Sequence, residues 1–263
     1  MKHYLMVDLG TGNSRVALVD SDGGILGLRT YTNVYHRDSA YEDGQYFLPE
    51  DWAALLLRGC RELCREHPDV QVNAVSAAGA RQSFVLRDGN GRAFLGLPNI
   101  DTRGRAYMAQ VPEHDEIYRL SGKWATEDFG AAKLLGLRMQ HPEQYEAVES
   151  VRKVMEYTQA CESQLYDIGQ RSWSQTLCSF YGLRPEFLPP LQAAGTAVGP
   201  ILDTYRRELG MAKDAVFVLG GADTQIALLQ TGIRPGGIAV VSGTTSPVVA
   251  ELEQLFYDPA QRV

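Results

Sequence analysis

Three short turns hold the residues best suited to chemistry. The first runs Asp8-Leu9-Gly10-Thr11-Gly12-Asn13-Ser14-Arg15, the second Gly220-Gly221-Ala222-Asp223-Thr224 and the third Ser242-Gly243-Thr244-Thr245-Ser246. A strand ending in Asp-x-Gly-Thr-Gly that returns through a second strand makes a hairpin whose N–H groups can face phosphate oxygens. Glycine lets the main chain come close, and threonine adds a hydroxyl. Asp8 would then hold a magnesium ion, or its water shell, beside a transferring phosphate. A glycine-rich turn alone is equally an ordinary tight hairpin, with Asp8 bonding its own turn amides. Gly243 and Thr244 again follow a β-prone run, as a second phosphate loop would, and this recurrence favours phosphoryl transfer. Between the two stands Asp223, after the apolar run Ala215 to Leu219. A carboxylate placed there can accept the proton of a substrate hydroxyl. Its structural alternative is a helix N-cap with Thr224 and Gln225 opening the helix, and one residue can serve both roles.

The elements that must position these turns are legible in outline. Tyr4 to Val7, Arg15 to Val19 and Ile25 to Thr30 read as three antiparallel strands, the last two joined by Asp22-Gly23-Gly24. Pro49-Glu50-Asp51 opens a helix whose apolar stripe carries Trp52, Leu55, Leu56, Cys60, Leu63 and Cys64 and which ends before Pro68. A buried strand follows at Val72 to Ala78, then a second hairpin, Phe84 to Leu86 and Arg92 to Leu95, across Asp88-Gly89-Asn90-Gly91. Helices are predicted at Thr102 to Gln110, Ala131 to Met139 and Pro142 to Tyr157, a loop at Gly195 to Pro200, a strand at Ala215 to Leu219, a short helix from Gln225 and a strand at Ile238 to Val241.

The chain's 263 residues, 44% hydrophobic and 22% charged, suit one large domain or two modest ones. A net charge of −7 argues against a nucleic-acid or anionic-membrane partner and for a small soluble ligand. The apolar start meets Asp8 too early for a signal-peptide core or a membrane span, so a cytoplasmic protein is expected. Cys60, Cys64, Cys161 and Cys178 read as buried thiols, and the five histidines show no ligand spacing, so no structural metal site is predicted.

In this order the motifs resemble the N-terminal half of the FGGY family of carbohydrate kinases. The resemblance covers essentially the whole sequence: DLGTGNSR with Asp20 closing the next strand, Pro49 to Trp52, Ala77 to Gln82 running into FVLRDGNGR, Asn99 to Arg103, Lys133-Leu134, Tyr166-Asp167 with Trp173, Leu188-Pro189, Gly195 to Gly199, GGADTQ and SGTTS. It implies an α/β, ribonuclease-H-like and actin-like ATPase lobe, its mixed sheet built of three antiparallel strands and then parallel ones, flanked by helices. Residues 1–241 would form that lobe and 242–263 the start of a nucleotide-binding lobe cut short. Carried over by position, the resemblance implies that Asp8, Gly10, Thr11 and Gly12 face the phosphates of ATP and Mg2+, that Gly243 and Thr244 form the second phosphate loop, and that Asp223 is the general base. Arg81, Gln82 and Asp101 would line a pocket for a neutral sugar or polyol, which offers only hydroxyls to grip. For Arg15 and Arg103 a structural ion pair weighs at least as much as a site role. A homodimer is compatible with this reading.

Departures from the family pattern narrow the substrate. Gly79-Ala80-Arg81-Gln82 stands where relatives acting on xylulose have a Met-His-Gly element, and Asp128 and Asn99-Ile100-Asp101 differ from glycerol-type enzymes. The stretches Ala80-Arg81-Gln82 and Asn99 to Arg103 are most similar to kinases of autoinducer-2, pointing to a short linear dihydroxy-ketone or similar polyol. Gly136 stands where the family usually carries a tryptophan, and a segment with a Leu-Thr-Gly turn, expected between Tyr157 and Gln159, is missing. Two alternatives remain: a chaperone-type ATPase of the same superfamily, whose DLGTTNS loop is similar to DLGTGNS, and a non-catalytic sugar-binding lobe. The stretches Asn99 to Arg103 and Gly220 to Gln225 favour the kinase over the chaperone. Because lobe closure aligns base, hydroxyl and phosphate, the 263 residues alone are expected to show little turnover.

Overall fold

The computed structural model describes residues 1–242, 247–258 and 260, so Gly243 and Thr244 lie outside the described residues. In chain order, the framework is β1 (His3–Leu9), β2 (Asn13–Asp20), β3 (Ile25–Thr32), α1 (Pro49–Glu66), β4 (Val72–Gly79), β5 (Phe84–Arg87), β6 (Ala93–Leu97), α2 (His114–Ser121), α3 (Gly130–Gln140), α4 (Pro142–Glu146), α5 (Tyr157–Cys161), β7 (Ala197–Pro200), β8 (Val216–Ala222), α6 (Asp223–Thr231), β9 (Ile238–Val240) and β10 (Val248–Ala250). Six strands form the central sheet in the order β7-β8-β4-β1-β2-β3. β1, β2 and β3 run antiparallel, β4 and β8 lie parallel to β1, and β7 closes the edge antiparallel to β8. This is the expected mixed sheet with one more strand than the sequence suggested.

Turn chemistry fixes the two hairpins. Asp20 accepts from the N–H groups of Asp22 (2.9 Å) and Gly24 (2.8 Å), and Asp88 accepts from those of Asn90 and Arg92 (both 2.9 Å). In both turns a carboxylate replaces a backbone acceptor, and a glycine at φ +88° (Gly23) or +76° (Gly91) takes the left-handed residue. Register between the two parallel strands that carry the site depends on Gly220. A Cβ there would lie 2.0 Å from the Ala77 carbonyl oxygen, so only glycine lets β8 lie this close to β4.

Two hydrophobic cores form among the described residues. One packs Leu5, Val16, Leu18 and Val72 of the sheet against Cys60 and Leu63 of α1 and against Leu209 and Met211. The other gathers Phe84, Leu86 and Leu97 with Ile117 of α2, Leu134, Leu135 and Leu137 of α3, Tyr145 and Tyr181. Residues 130–137 of α3 are all buried, so this helix has no solvent face in its first two turns.

Three segments differ from the sequence expectation. Gly195 to Pro200 contains β7, an edge strand opened by Gly195 at φ +83°, whose N–H donates to Leu219 O (2.8 Å). Proline can end an edge strand because no ladder bond is lost there. The helix predicted to reach Tyr157 stops at Glu146. Beyond it the backbone is drawn into tertiary pairing: Arg87 exchanges bonds with Glu149 and Ser150, Val151 donates to Phe187 O (3.1 Å), and Val148 and Val151 are buried. Thr102 to Gln110 forms only a 3-10 turn, Arg105–Gln110. The sequence reading also passed over α2, although Asp115 and Glu116 in its first turn and Gly122 at φ +69° after its end are ordinary boundary signals.

Candidate active site

The β1–β2 turn is shaped from below by one asparagine. Asn33 donates from Nδ2 to the carbonyls of Gly10 (2.7 Å) and Thr11 (3.1 Å) and from its backbone to Gly12 O (3.0 Å), while Tyr35 donates its hydroxyl to Thr11 O (2.5 Å). Carbonyl and N–H oppose each other in a planar peptide, so the amides of Thr11 and Gly12 point away from Asn33. A Cβ built on Gly12 would meet nothing within 4 Å, leaving open space over the turn. The Thr11 hydroxyl accepts from Asn99 Nδ2 (2.8 Å), tying the turn to the Asn99 to Arg103 stretch. Asp8, at the end of β1, pairs with Arg15 across the hairpin at 2.8 Å, both side chains nearly half exposed.

Asp223 stands two strands over, at the end of β8 and across β4 from β1, as the first residue of α6. Ala222, not Asp223, holds the N-cap position, and the Asp223 carboxylate instead accepts from the N–H of Thr224 (2.7 Å). Burial raises its pKa above the ordinary carboxylate range; the Thr224 N–H and the positive charge of Arg81 pull it down, and the nearby Asp8 pushes it up. The register of three adjacent strands, with Asp8 opposite Ala78 and Ala222 opposite Gly79, brings the ends that carry Asp8, Arg81 and Asp223 together although 73 and 142 positions separate consecutive members. Behind Arg81 lies Glu162, 2% exposed, 4.0 Å from Arg81, 3.2 Å from Lys123 Nζ and bonded to Gln225 Nε2 at 3.2 Å.

Gln82 follows Arg81 with φ +64°, a left-handed conformation that costs a side-chain-bearing residue energy. Lys133 of α3 holds it there: its fully buried ammonium donates to Gln82 O (2.8 Å) and Pro98 O (2.7 Å). Burial pushes the Lys133 pKa down to about 7 against the opposing pull of Asp101 and Asp128. Asp101 does not face open space. It is 0% exposed, with its oxygens on Arg103 Nε (2.7 Å) and the Gln45 N–H (2.9 Å). Arg103 is equally enclosed, reaching Gln45 O (3.0 Å), Asp38 (3.5 Å) and the face of Tyr41. Burial raises the pKa of Asp101 even as Arg103 opposes it. The structure thus sets Asp101 inside the wall, whereas Arg81 and Gln82 keep partial exposure.

A brace under the second turn escaped the sequence reading. Glu156, buried, caps α5 through the N–H groups of Thr158 (2.7 Å) and Gln159 (3.3 Å) and also binds the Thr158 hydroxyl. That hydroxyl accepts from the N–H of Ala222 (3.0 Å), and Gln159 Nε2 donates to Gly79 O (2.8 Å). The ends of β4 and β8 are held to one short helix.

The family model for the N-terminal domain of the FGGY family of carbohydrate kinases matches residues 3–230. The chain belongs to this family. Among curated relatives of this FGGY chain, YoaC of Bacillus subtilis (strain 168), which carries a sugar-kinase name, is 38% identical over 261 residues, covering 94% of this chain and 53% of the relative. An autoinducer-2 kinase of Klebsiella pneumoniae is 26% identical over 287 residues, covering all of this chain and 53% of the relative. In fold the FGGY chain is similar to a xylulose kinase from Lactobacillus acidophilus (TM-score 0.86, 17% identity, 99% of this chain and 56% of that one) and to a Plasmodium falciparum glycerol kinase with ADP (0.83, 16%, 94% and 54%). The chain spans about half the length of the curated relatives it matches.

An alignment of 287 positions against 263 residues leaves at least 24 positions of the Klebsiella enzyme without a counterpart here. Where the sequence reading expected an extra segment, the FGGY lobe runs directly from Glu156 through α5, and a cavity of about 430 Å³ opens beside it. The departure at Gly136 has a geometric reason. A Cβ there would come within 2.6 Å of Arg103 O, and one on Gly104 within 2.1 Å of Ala132 O, so α3 and the Asp101 to Gly104 stretch touch backbone to backbone.

As to a metal, no group of three or more His, Cys, Asp or Glu side chains that could cage an ion occurs among the described residues. One or two carboxylates facing a bound phosphate suit magnesium, which keeps most of its waters and takes the rest of its ligands from the nucleotide. Asp8 with Asp223 nearby meets that pattern. No helix among the described residues is long and apolar enough to cross a membrane.

Proposed function

We propose that this chain is the substrate-binding lobe of a kinase that transfers the terminal phosphoryl group of ATP to a hydroxyl of a sugar, polyol or autoinducer-2-like molecule. The observation that carries the reading is the sheet register, which pairs Asp8 with Ala78 and Ala222 with Gly79 and so brings the ends that carry Asp8, Arg81 and Asp223 together; burial raises the Asp223 pKa and Arg81 opposes that rise. Asp223 accepts the hydroxyl proton as the oxygen attacks phosphorus, while the outward amides of Thr11 and Gly12 face phosphate oxygens. Asp8 would hold Mg2+, which supplies charge neutralisation on the phosphates when bound. Arg81 and Gln82 engage substrate hydroxyls. Asp101 acts through Arg103 by fixing the wall. Gly243 and Thr244, outside the described residues, would supply the second phosphate loop that the family pattern implies.

Half the length of the relatives is present, and we propose that brisk turnover needs the other half to close over ATP. A coupled ADP-release assay on these 263 residues with a polyol panel checks this: turnover should stay near background, and rates of 1 s⁻¹ or more, on the order of ordinary enzymes, would refute it. In a full-length form Asp223→Asn should lower kcat by roughly 10²–10⁴ with sugar binding retained, and unchanged kcat would remove Asp223 as base. Arg81→Met takes away the charge that lowers the Asp223 pKa. The acid limb of the pH–rate profile should therefore move to higher pH, and an unmoved limb would uncouple the two.

A further inference from the structure

Glu162, one residue past α5, is 2% exposed and takes no part in the reaction proposed above. Three elements converge on its Oε1 atom. Arg81 Nη1, from the turn after β4, stands 4.0 Å away; Lys123 Nζ, just past α2, stands 3.2 Å away; Gln225 Nε2, in the first turn of α6, donates at 3.2 Å. A carboxylate this far from water needs cations and donors around it, and here both cations share one oxygen. They are not held alike. The Lys123 ammonium also lies over the Phe129 ring (5.7 Å), and the Lys123 carbonyl accepts from Gln164 Nε2 and Ser121 Oγ (both 3.1 Å). The Arg81 side chain has no hydrogen bond among the described residues and one ion pair, the one to Glu162. At 4.0 Å that pair is an attraction of charges rather than a hydrogen bond, so the guanidinium is anchored while its N–H groups stay unspent. A long side chain left loose would instead have to be ordered each time substrate bound, at the expense of affinity. Gln225 stands two residues after Asp223, so the carboxylate that holds Arg81 also grips the helix turn that carries Asp223.

We propose that Glu162 is a positioning residue: it anchors Arg81 from behind and ties it to the first turn of α6, so that the guanidinium meets substrate hydroxyls already ordered beside Asp223. Glu162 is enclosed and acts through Arg81, touching no substrate itself. What Arg81 touches rests on the kinase reading above; how Arg81 is held does not.

Nitrogen-15 relaxation of the Arg81 Nε–H group in this chain reads the anchoring without turnover, the signal being assigned by its loss in Arg81→Lys. Its order parameter should exceed about 0.6 in the unaltered chain and fall below that value in Glu162→Gln, which keeps the bulk and loses the charge. Lys123→Met, at a partly exposed position, should leave it at or above the unaltered value, because Arg81 then has the carboxylate to itself; this variant decides the matter if Glu162→Gln fails to fold. A mobile Arg81 in the unaltered chain, no change in Glu162→Gln, or a fall in Lys123→Met would overturn the proposal. In a full-length form, KM for the fastest substrate of the polyol panel should rise about tenfold in Glu162→Gln, with kcat changed less than about threefold, as when a binding contact is lost. A loosened Arg81 with unchanged KM would overturn the positioning role. No turnover with any polyol, or an unchanged kcat in Asp223→Asn, would instead remove the kinase reading and leave the order parameters to judge Glu162.

Discussion

Asp101 with Arg103 and Asp8 with Arg15 are the same chemical pair at nearly the same separation, 2.7 and 2.8 Å, in opposite surroundings. The first pair has no exposed side-chain surface, while the second is 43% and 45% exposed. Inside, the pair is held further by Gln45, Asp38 and the Tyr41 ring, so the network is costly to disturb. Outside, water and salt screen the attraction, and the pair can open at little cost, as the cation role proposed for Asp8 would require. Distance alone does not tell an enclosed pair from an accessible one; burial does.

The largest expected effect breaks the inner pair. Arg103→Met leaves Asp101 buried without its counter-charge and should lower unfolding free energy by about 3–5 kcal/mol in urea denaturation; a loss under about 1 kcal/mol would end the distinction drawn here. Next is the pH dependence from Lys133, which donates to the wall beside that pair. Its folded pKa is pushed down to about 7 from 10.5, so between those values the unfolded chain binds the extra proton. Stability should therefore rise as pH increases through this window, by up to about 1.4 kcal/mol per unit, and Lys133→Met should flatten the slope. Smaller again is Glu156→Ala, which removes the α5 cap and the brace under Ala222, at about 1–2 kcal/mol by thermal denaturation. Smallest is Arg15→Ala, under about 1 kcal/mol and fading with added salt. Double-mutant cycles on both pairs sharpen the comparison, since the inner coupling energy should exceed the outer one severalfold.

The sequence announced what is written locally. β1, β2, β3 and α1 follow from alternation, a proline at the helix start and Asp-Gly turns, and the structure places them within a residue or two of expectation. Asp8, Arg81 and Asp223 stand out from turn chemistry and family order, and the sheet register sets the strand ends that carry them side by side, Asp8 opposite Ala78 and Ala222 opposite Gly79. What stayed hidden depends on partners far along the chain. Residues 147–156 look helical until Arg87 and Phe187 offer backbone bonds, and Glu162 is an unremarkable acid until Arg81, Lys123 and Gln225 surround it. Asn33 lies only 22 positions beyond Thr11, but a lone asparagine after a strand gives no sign that it will hold three successive carbonyls. Nor does the spacing of Asp101 and Arg103 reveal which way the pair faces.

Gly104 and Gly136 lie on two segments in backbone contact: a Cβ on Gly104 would strike Ala132 of α3, and one on Gly136 would strike Arg103 and the Gly104 nitrogen. Their consequence is one of inheritance. Neither position can drift alone, because the first bulky replacement would lift α3 off the stretch that carries Asp101 and Arg103, and selection would meet a broken wall before a second change could repair it. The two glycines form a single evolutionary character. A lineage with a large residue at position 136 must have re-docked that helix along a different route.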